Sequence, residues 1–198
     1  MIDNWRSYRL EDFIPFTPEV YFRLIERVNE AWWPVQFVAI ALGLVVLILA
    51  FRGKSRLALA LLAPAWAFCG VVFHLQYYAE INVAASWLGY MFIAQAVLLL
   101  VLAAATDKPD PSRRPDRWRM SIGVAITVVG LLPWPLVSLA RSGDWSQSEY
   151  FALHPDPTAL VTIGMIVLCL RGFKAGLAVL VPVVWGAISI LTLIALAP

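Results

Sequence analysis

The sequence predicts an all-α polytopic membrane protein, a six-helix transmembrane bundle preceded by a short amphipathic N-terminal helix. Of 198 residues, 61% are hydrophobic and only 14% are charged, and the mean hydropathy is +0.77. An ordinary soluble domain carries about a quarter charged residues. The apolar residues are parcelled into long runs separated by short polar turns, the pattern of bilayer-crossing helices. Lys and Arg concentrate in alternate turns, which is how orientation across a bilayer is set.

Residues 1–31 read as a polar tail ending in an interfacial helix. Thr17-Pro18-Glu19 is a helix-start signal, with a capping hydroxyl, proline at the first helical position and an acid in the first turn. Val20, Tyr21, Leu24, Ile25, Val28 and Trp32 then recur at three-and-four spacing, opposite Arg23, Glu26, Arg27 and Glu30. Such a helix lies in the membrane interface or packs on the protein's own loops. The first 30 residues lack the continuous apolar core of a cleavable signal, so the first span is expected to direct insertion itself.

Residues 32–198 hold the six spans. The first, 32–51, opens with Trp32 and Trp33 as an aromatic belt pair and ends in the basic turn Arg52-Gly53-Lys54-Ser55-Arg56. The second, 57–73, leads into the polar stretch His74 to Asn82, and the third covers 83–105. A loop rich in proline and charge, 106–119, precedes the fourth span, 120–140, where Pro133-Trp134-Pro135 should kink or unwind the last turns. After the polar connection 141–156, the fifth span begins at Pro157, and the sixth occupies 176–197.

The fifth span is short. Its 14 residues, 157–170, reach about 21 Å at 1.5 Å per residue, against a hydrocarbon core of about 30 Å. Arg171 to Phe173 could extend the helix, or the bundle could tilt with local membrane thinning. Alternatively the start is recessed, aiming free backbone N–H groups into an outward cavity where anions bind.

Ten of the fifteen Lys and Arg fall in the loops after the first, third and fifth spans, which places those loops in the cytoplasm and both termini outside. The hairpins also share a faint repeat. Arg52-Gly53 precedes Trp66 by the same spacing at which Arg171-Gly172 precedes Trp185, with Leu61 matching Leu180. Membrane hairpins produce such likeness by chance about as well as duplication does, so it assigns no function.

Ionisable and amide groups at membrane depth are expensive, so they mark where chemistry would be sought. Topology gathers Gln36, His74, Glu80, Asn82, His154 and Asp156 at the outward ends of spans. Asn82 and Asp156 read first as helix caps, and His74, beside Gln76-Tyr77-Tyr78, reads first as an interfacial-belt histidine bonded to a nearby loop. His74 and His154 with Glu80 or Asp156 form a chemically admissible metal set, though no spacing supports it. Bis-histidine haem ligation is admissible on the same two residues, and no cofactor is assigned. Gln95 falls near the midplane, where an amide needs a partner and commonly glues helices together. Cys69 and Cys169 lie within apolar runs without CxxC spacing and read as inert thiols. A net charge of +2 without a basic aromatic patch argues against nucleic acid.

Several segments together resemble a known family: Phe16-Thr17-Pro18-Glu19, Asn29 through Trp33-Pro34-Val35-Gln36, His74 through Ile81-Asn82-Val83-Ala84-Ala85, and Pro155-Asp156-Pro157-Thr158. The chain is similar, from about residue 16 to 195, to the domain of unknown function 6064 family of small bacterial membrane proteins. The resemblance implies a multi-pass protein of the bacterial inner membrane and brings no activity, substrate or cofactor. It selects Gln36, His74, Asn82 and Asp156 again, while Arg141 to His154 match nothing in it.

The functional expectation is a protein embedded in the lipid bilayer that binds or translocates a small solute or ion. Its outward polar vestibule would be built from Gln36, His74, Asn82 and Asp156, with Gln95 deeper. The alternative is an accessory or scaffolding subunit of a larger membrane complex. A membrane enzyme or electron carrier using His74 and His154 is a third reading. Against catalysis stands the lack of a nucleophile motif, phosphate loop or paired carboxylates.

Overall fold

A computed structural model describes residues 14–106 and 116–196. The first thirteen residues lie outside the described residues, as does the centre of the 106–119 loop with Lys108, Arg113 and Arg114. Eight α-helices account for most of the described chain, and no strand occurs among those residues. They are α1 (Pro18–Ala31), α2 (Val35–Phe51), α3 (Ser55–Cys69), α4 (Ala85–Ala105), α5 (Arg117–Leu131), α6 (Pro133–Ser142), α7 (Pro155–Cys169) and α8 (Gly172–Ala195). Beyond Cys69, α3 continues as a π-helical segment, Gly70–Tyr77, and a 3₁₀ turn, Tyr78–Glu80.

Each predicted span forms a helix, but only three to five are long and apolar enough to cross a membrane. Three qualify outright: α3 with its continuation (26 residues), α4 (21) and α8 (24). Two more qualify if each bent pair counts as one span, α1 with α2 at 88° and α5 with α6 at 46°. The second bend falls between Leu131 and Pro133, where proline was expected to break the helix. The corner at Trp32–Pro34 removes the belt tryptophans from the first span and leaves α2 only 17 residues. α7 is shorter still at 15 residues, because Leu170 turns extended and Arg171 already caps α8. Arg171 to Phe173 therefore do not extend it.

Of the two places open to the amphipathic helix, α1 takes the protein's own surface. Tyr21, Leu24, Ile25 and Val28 are buried in the common core. The Tyr21 ring meets Tyr78 edge-on at 6.5 Å, and Asn29 Nδ2 donates to the carbonyls of Ser146 and Ser148, each at 2.8 Å. α1 thus covers the end of the bundle where the π segment finishes and α7 begins. Val20, assigned to the same apolar face, is 40% exposed.

At the opposite end the basic residues close helix C-termini, whose last carbonyls lack intrahelical donors. Arg119 donates through Nε and Nη2 to Val167 O and through Nη2 to Leu170 O, sealing α7. Lys174 Nζ donates to Ala105 O at 2.6 Å, sealing α4. Large apolar side chains stay exposed on the outer helices, among them Phe37, Val45 and Ile48 on α2 and Phe173, Leu180 and Ile190 on α8.

The Gln95 amide nitrogen answers a gap left in a neighbouring helix. Proline has no N–H, so Pro182 inside α8 leaves the carbonyl four residues earlier, Ala178 O, without its helical donor. Gln95 Nε2 reaches across from α4 and donates to that carbonyl at 2.8 Å. The amide is interhelical glue with an identified cause. Replacing Gln95 by leucine should lower stability by about 1 kcal/mol, the scale of such bonds between membrane helices. In a Pro182→Ala background α8 recovers its own bond, so the same replacement should cost less. Equal losses in both backgrounds, measured by thermal unfolding in detergent, would refute the pairing.

Candidate functional site

Of the polar side chains expected at the α1 end, Gln36, His74, His154 and Asp156 are buried, whereas Asn82 is half-buried and Glu80 exposed. The burial of His74 begins with the π segment, whose wider turn re-aims the residues that follow; such insertions are frequent at functional sites. His74 lies within it and is fully buried. Its ring sits 4.4 Å, centroid to centroid, from Phe92 of α4 and 5.0 Å from Trp185 of α8, and neither ring nitrogen has a hydrogen-bond partner. The belt reading of His74, bonded to a nearby loop, is overturned.

His154 is also fully buried and serves as the N-cap position of α7. Its Nδ1 accepts from the Tyr150 N–H at 3.0 Å, so the neutral ring carries its proton on Nε2, which has no partner. Phe73 touches both imidazoles, with centroids 5.2 Å from His74 and 5.7 Å from His154.

Asp156 does not cap a helix. It lies in the first turn of α7 and binds sideways to α8: Trp185 Nε1 donates to Oδ1 at 2.7 Å and Ser189 Oγ donates to Oδ2 at 2.8 Å. Trp185 therefore has His74 against its ring and Asp156 at its N–H. Asp156 is 8% exposed and borders a cavity of about 150 Å³ between α6, α7 and α8. At the start of the fifth span, for which a recess open to the outside was one alternative, residues 151–159 are all buried.

The faint repeat acquires a structural meaning. Trp66 and Trp185 lie on either side of Phe92, at 4.4 and 5.5 Å, and each donates its indole N–H to α7, Trp66 to Thr162 at 2.7 Å and Trp185 to Asp156. Gly53 and Gly172 both take positive φ, 69° and 55°, in the matching turns. Leu61 and Leu180 do not share surroundings, since Leu180 is exposed and Leu61 is half-buried.

Gln36 and Asn82 line separate cavities. Gln36 Nε2 donates to Asn29 O and Oδ1, tying α2 to α1, beside a cavity of about 310 Å³. Asn82 Oδ1 accepts from the Ala84 N–H at 3.0 Å, closing a turn before α4; the N-cap position is Ala84, so Asn82 does not cap the helix, and it borders a cavity of about 260 Å³. Gln95 borders none of these three cavities. Glu80 is half exposed and paired with Arg27 at 2.9 Å, away from the histidines. Among the described residues no three His, Cys, Asp or Glu side chains are grouped to hold a metal. Both cysteines are free thiols.

Sequence reasoning missed Glu149, which is 1% exposed. Its Oε2 accepts from Trp134 Nε1 at 3.0 Å, Ser138 Oγ at 3.1 Å and Arg141 Nη2 at 2.9 Å. These donors recur at four-and-three spacing on one face of α6, a signal that an acceptor had to face them. Two buried carboxylates, Glu149 and Asp156, thus stand near a single arginine engaged by the first.

These features define a helical bundle of membrane type with a buried ionisable centre beneath an N-terminal capping helix. The chain belongs to the family of unknown function DUF6064, whose model matches residues 18–197. Neither the curated proteins nor the solved structures contain a match.

Burial holds the Glu149 carboxyl above the ordinary glutamate range, and the Asp156 carboxylate reinforces this, while Arg141, Trp134 and Ser138 oppose it. A folded-state pKa raised above the unfolded value gives stability that is complete below the unfolded value and lost as pH rises through the folded one. The melting temperature of the wild type relative to Glu149→Gln should therefore fall as pH rises from about 4.5. A difference that stays constant or grows would refute the inferred direction.

Proposed function

We propose that this protein binds or translocates a small solute or ion through the polar centre at the α1 end of its bundle. The observation that carries the reading is the array His74–Trp185–Asp156, an imidazole with no hydrogen-bond partner against the ring of one tryptophan and a carboxylate at its indole N–H. A buried donor left unsatisfied costs about 1–3 kcal/mol, and ionisable groups retained at membrane depth mark substrate or ion paths. Gln36 and Asn82 flank this centre from neighbouring cavities on the same end. In this reading the chain is a six-span protein of the bacterial inner membrane, α7 being a span shortened by its position inside the bundle. The Lys54 and Lys174 turns face the cytoplasm, and the α1 end faces outward.

The interior supports a gated site more than an open pore, since the three cavities stop short of Gln95. A docking role within a larger membrane complex is the second reading. It is favoured by α8, whose apolar window is 22% buried, against 39% for α4 and 61% for α3.

Identifying what co-purifies with the protein from mild detergent tests both readings. A small molecule or ion should be retained, and His74→Ala should weaken its retention at least about tenfold, equivalent to 1.4 kcal/mol, with helix content unchanged. A folded His74→Ala variant that retains it fully would remove His74 from the site, and recovery of protein subunits alone would favour docking. Reporters fused after Lys54 and Lys174 should read as cytoplasmic; an external signal from either would overturn the orientation.

A further inference from the structure

We propose that the cavity between α6, α7 and α8 binds a small organic ammonium ion, held by the Asp156 carboxylate against the ring of Trp185. The proposal rests on the solute-binding reading and names the ligand class. Four features of the cavity select that class. First, Asp156 has no basic side chain within ion-pair distance among the described residues, because Arg141, the basic residue near this centre, is paired with Glu149 at 2.9 Å. A buried charge without a partner is costly, and a bound cation supplies the partner.

Second, the carboxylate retains acceptor capacity. An ionised carboxylate offers about four lone-pair sites, and Trp185 and Ser189 use one on each oxygen. An ammonium N–H can donate to the remainder. Third, the other walls are apolar, with Leu160, Ile163, Pro182 and Ile190 among them. A hard metal ion needs six or more oxygen ligands, and this lining offers only Asp156 and Ser189. An alkylated ammonium needs no such shell, and it gains from an indole face that attracts cations. Trp185 provides that wall, since Arg141 already stands 6.0 Å from the centroid of Trp134.

Fourth, there is room for such a guest. The space of about 150 Å³ is close to that of an engineered protein cavity that takes one benzene, enough for an ammonium nitrogen with a few carbon atoms. Gly186 borders the cavity, and a Cβ built on it meets nothing within 4 Å. The first atom of a side chain placed there is accommodated at the cavity's edge, so a larger residue is the variant chosen to occupy it.

Full-length protein in mild detergent can be titrated calorimetrically with tert-butylammonium chloride, using tert-butanol as the neutral isostere. Saturable binding of the ammonium and none of the alcohol is expected. Asp156→Asn should weaken it at least about tenfold, the factor given by 1.4 kcal/mol. Gly186→Leu should abolish it while leaving Asp156 and its donors in place, which keeps the proposal testable if Asp156→Asn fails to fold. The proposal falls if the wild type does not bind the ammonium, or if Gly186→Leu binds it undiminished. Equal binding of tert-butanol would also overturn it, by making the cavity an apolar crevice suited to a lipid chain. If a co-purified solute depends on His74 while tert-butylammonium does not bind, only the ammonium assignment fails; if neither is seen, both readings fail.

Discussion

The close approach of α5 to α7 is the contact on which the rest of the bundle depends. A Cβ on Gly164 would collide with Thr127 Oγ1 and lie 2.6 Å from Gly123 O, and one on Gly123 would lie 2.6 Å from Leu168 Cγ. Backbones can meet this way only where both side chains are absent. Apolar helices gain no hydrophobic drive by leaving lipid for one another, so van der Waals contact between small residues has to supply the attraction. The consequence is that α7 is drawn to the centre and buried on nearly every side. A central helix need not be as long as the bilayer is thick. Of its polar residues, Asp156 and Thr162 answer to neighbouring helices, while Thr158 ties the start of α7 to Ala152 and His154 just before it.

Those neighbours grip α7 from two sides with the same device. Trp66 and Trp185 pack on Phe92 and turn their indole N–H groups to α7. Packing and hydrogen bonding are thereby met by single side chains, as suits tryptophan in an interior. The symmetry fails at the acceptor, which is a threonine hydroxyl for Trp66 and a carboxylate for Trp185. One pair is complete as it stands. The other ends on a carboxylate with no basic side chain within ion-pair distance among the described residues, and the proposed ammonium site rests on this difference.

Features encoded locally were legible in the sequence. The helix start at Pro18, the break at Pro133 and the place of each apolar helix follow from capping, proline chemistry and hydropathy over one or two turns. Features set by tertiary contact were not. Asp156 beside Pro157 has every local mark of a helix cap, yet Trp185 and Ser189, some thirty residues away, take both of its oxygens. The inward turn of His74 depends on a π segment, and there Gly70 packs so closely on α4 that a Cβ would lie 3.0 Å from Gly89 O. No periodicity around His74 announces that geometry. Gln95 stands out in the sequence as an amide within an apolar run, but its partner, Ala178 O, is fixed by Pro182 on another helix.

The distribution of cations then explains why the α1 end is left with an excess of acid. Arg119 and Lys174 seal the C-termini of α7 and α4 at the other end, and Arg171 pairs there with Asp116 at 3.2 Å. C-terminal carbonyls attract positive groups on two counts, as free acceptors and as the negative pole of the helix. The N-terminus of α7 has the opposite polarity, and Asp156 in its first turn is held by that pole and by two hydrogen bonds. These interactions offset part of the cost of burying the carboxylate and bring no positive charge beside it. A dipole and two donors can hold an anion in place while leaving its field unneutralised. A carboxylate held in that way, on the wall of a small and mostly apolar cavity, is what the proposed ammonium site requires.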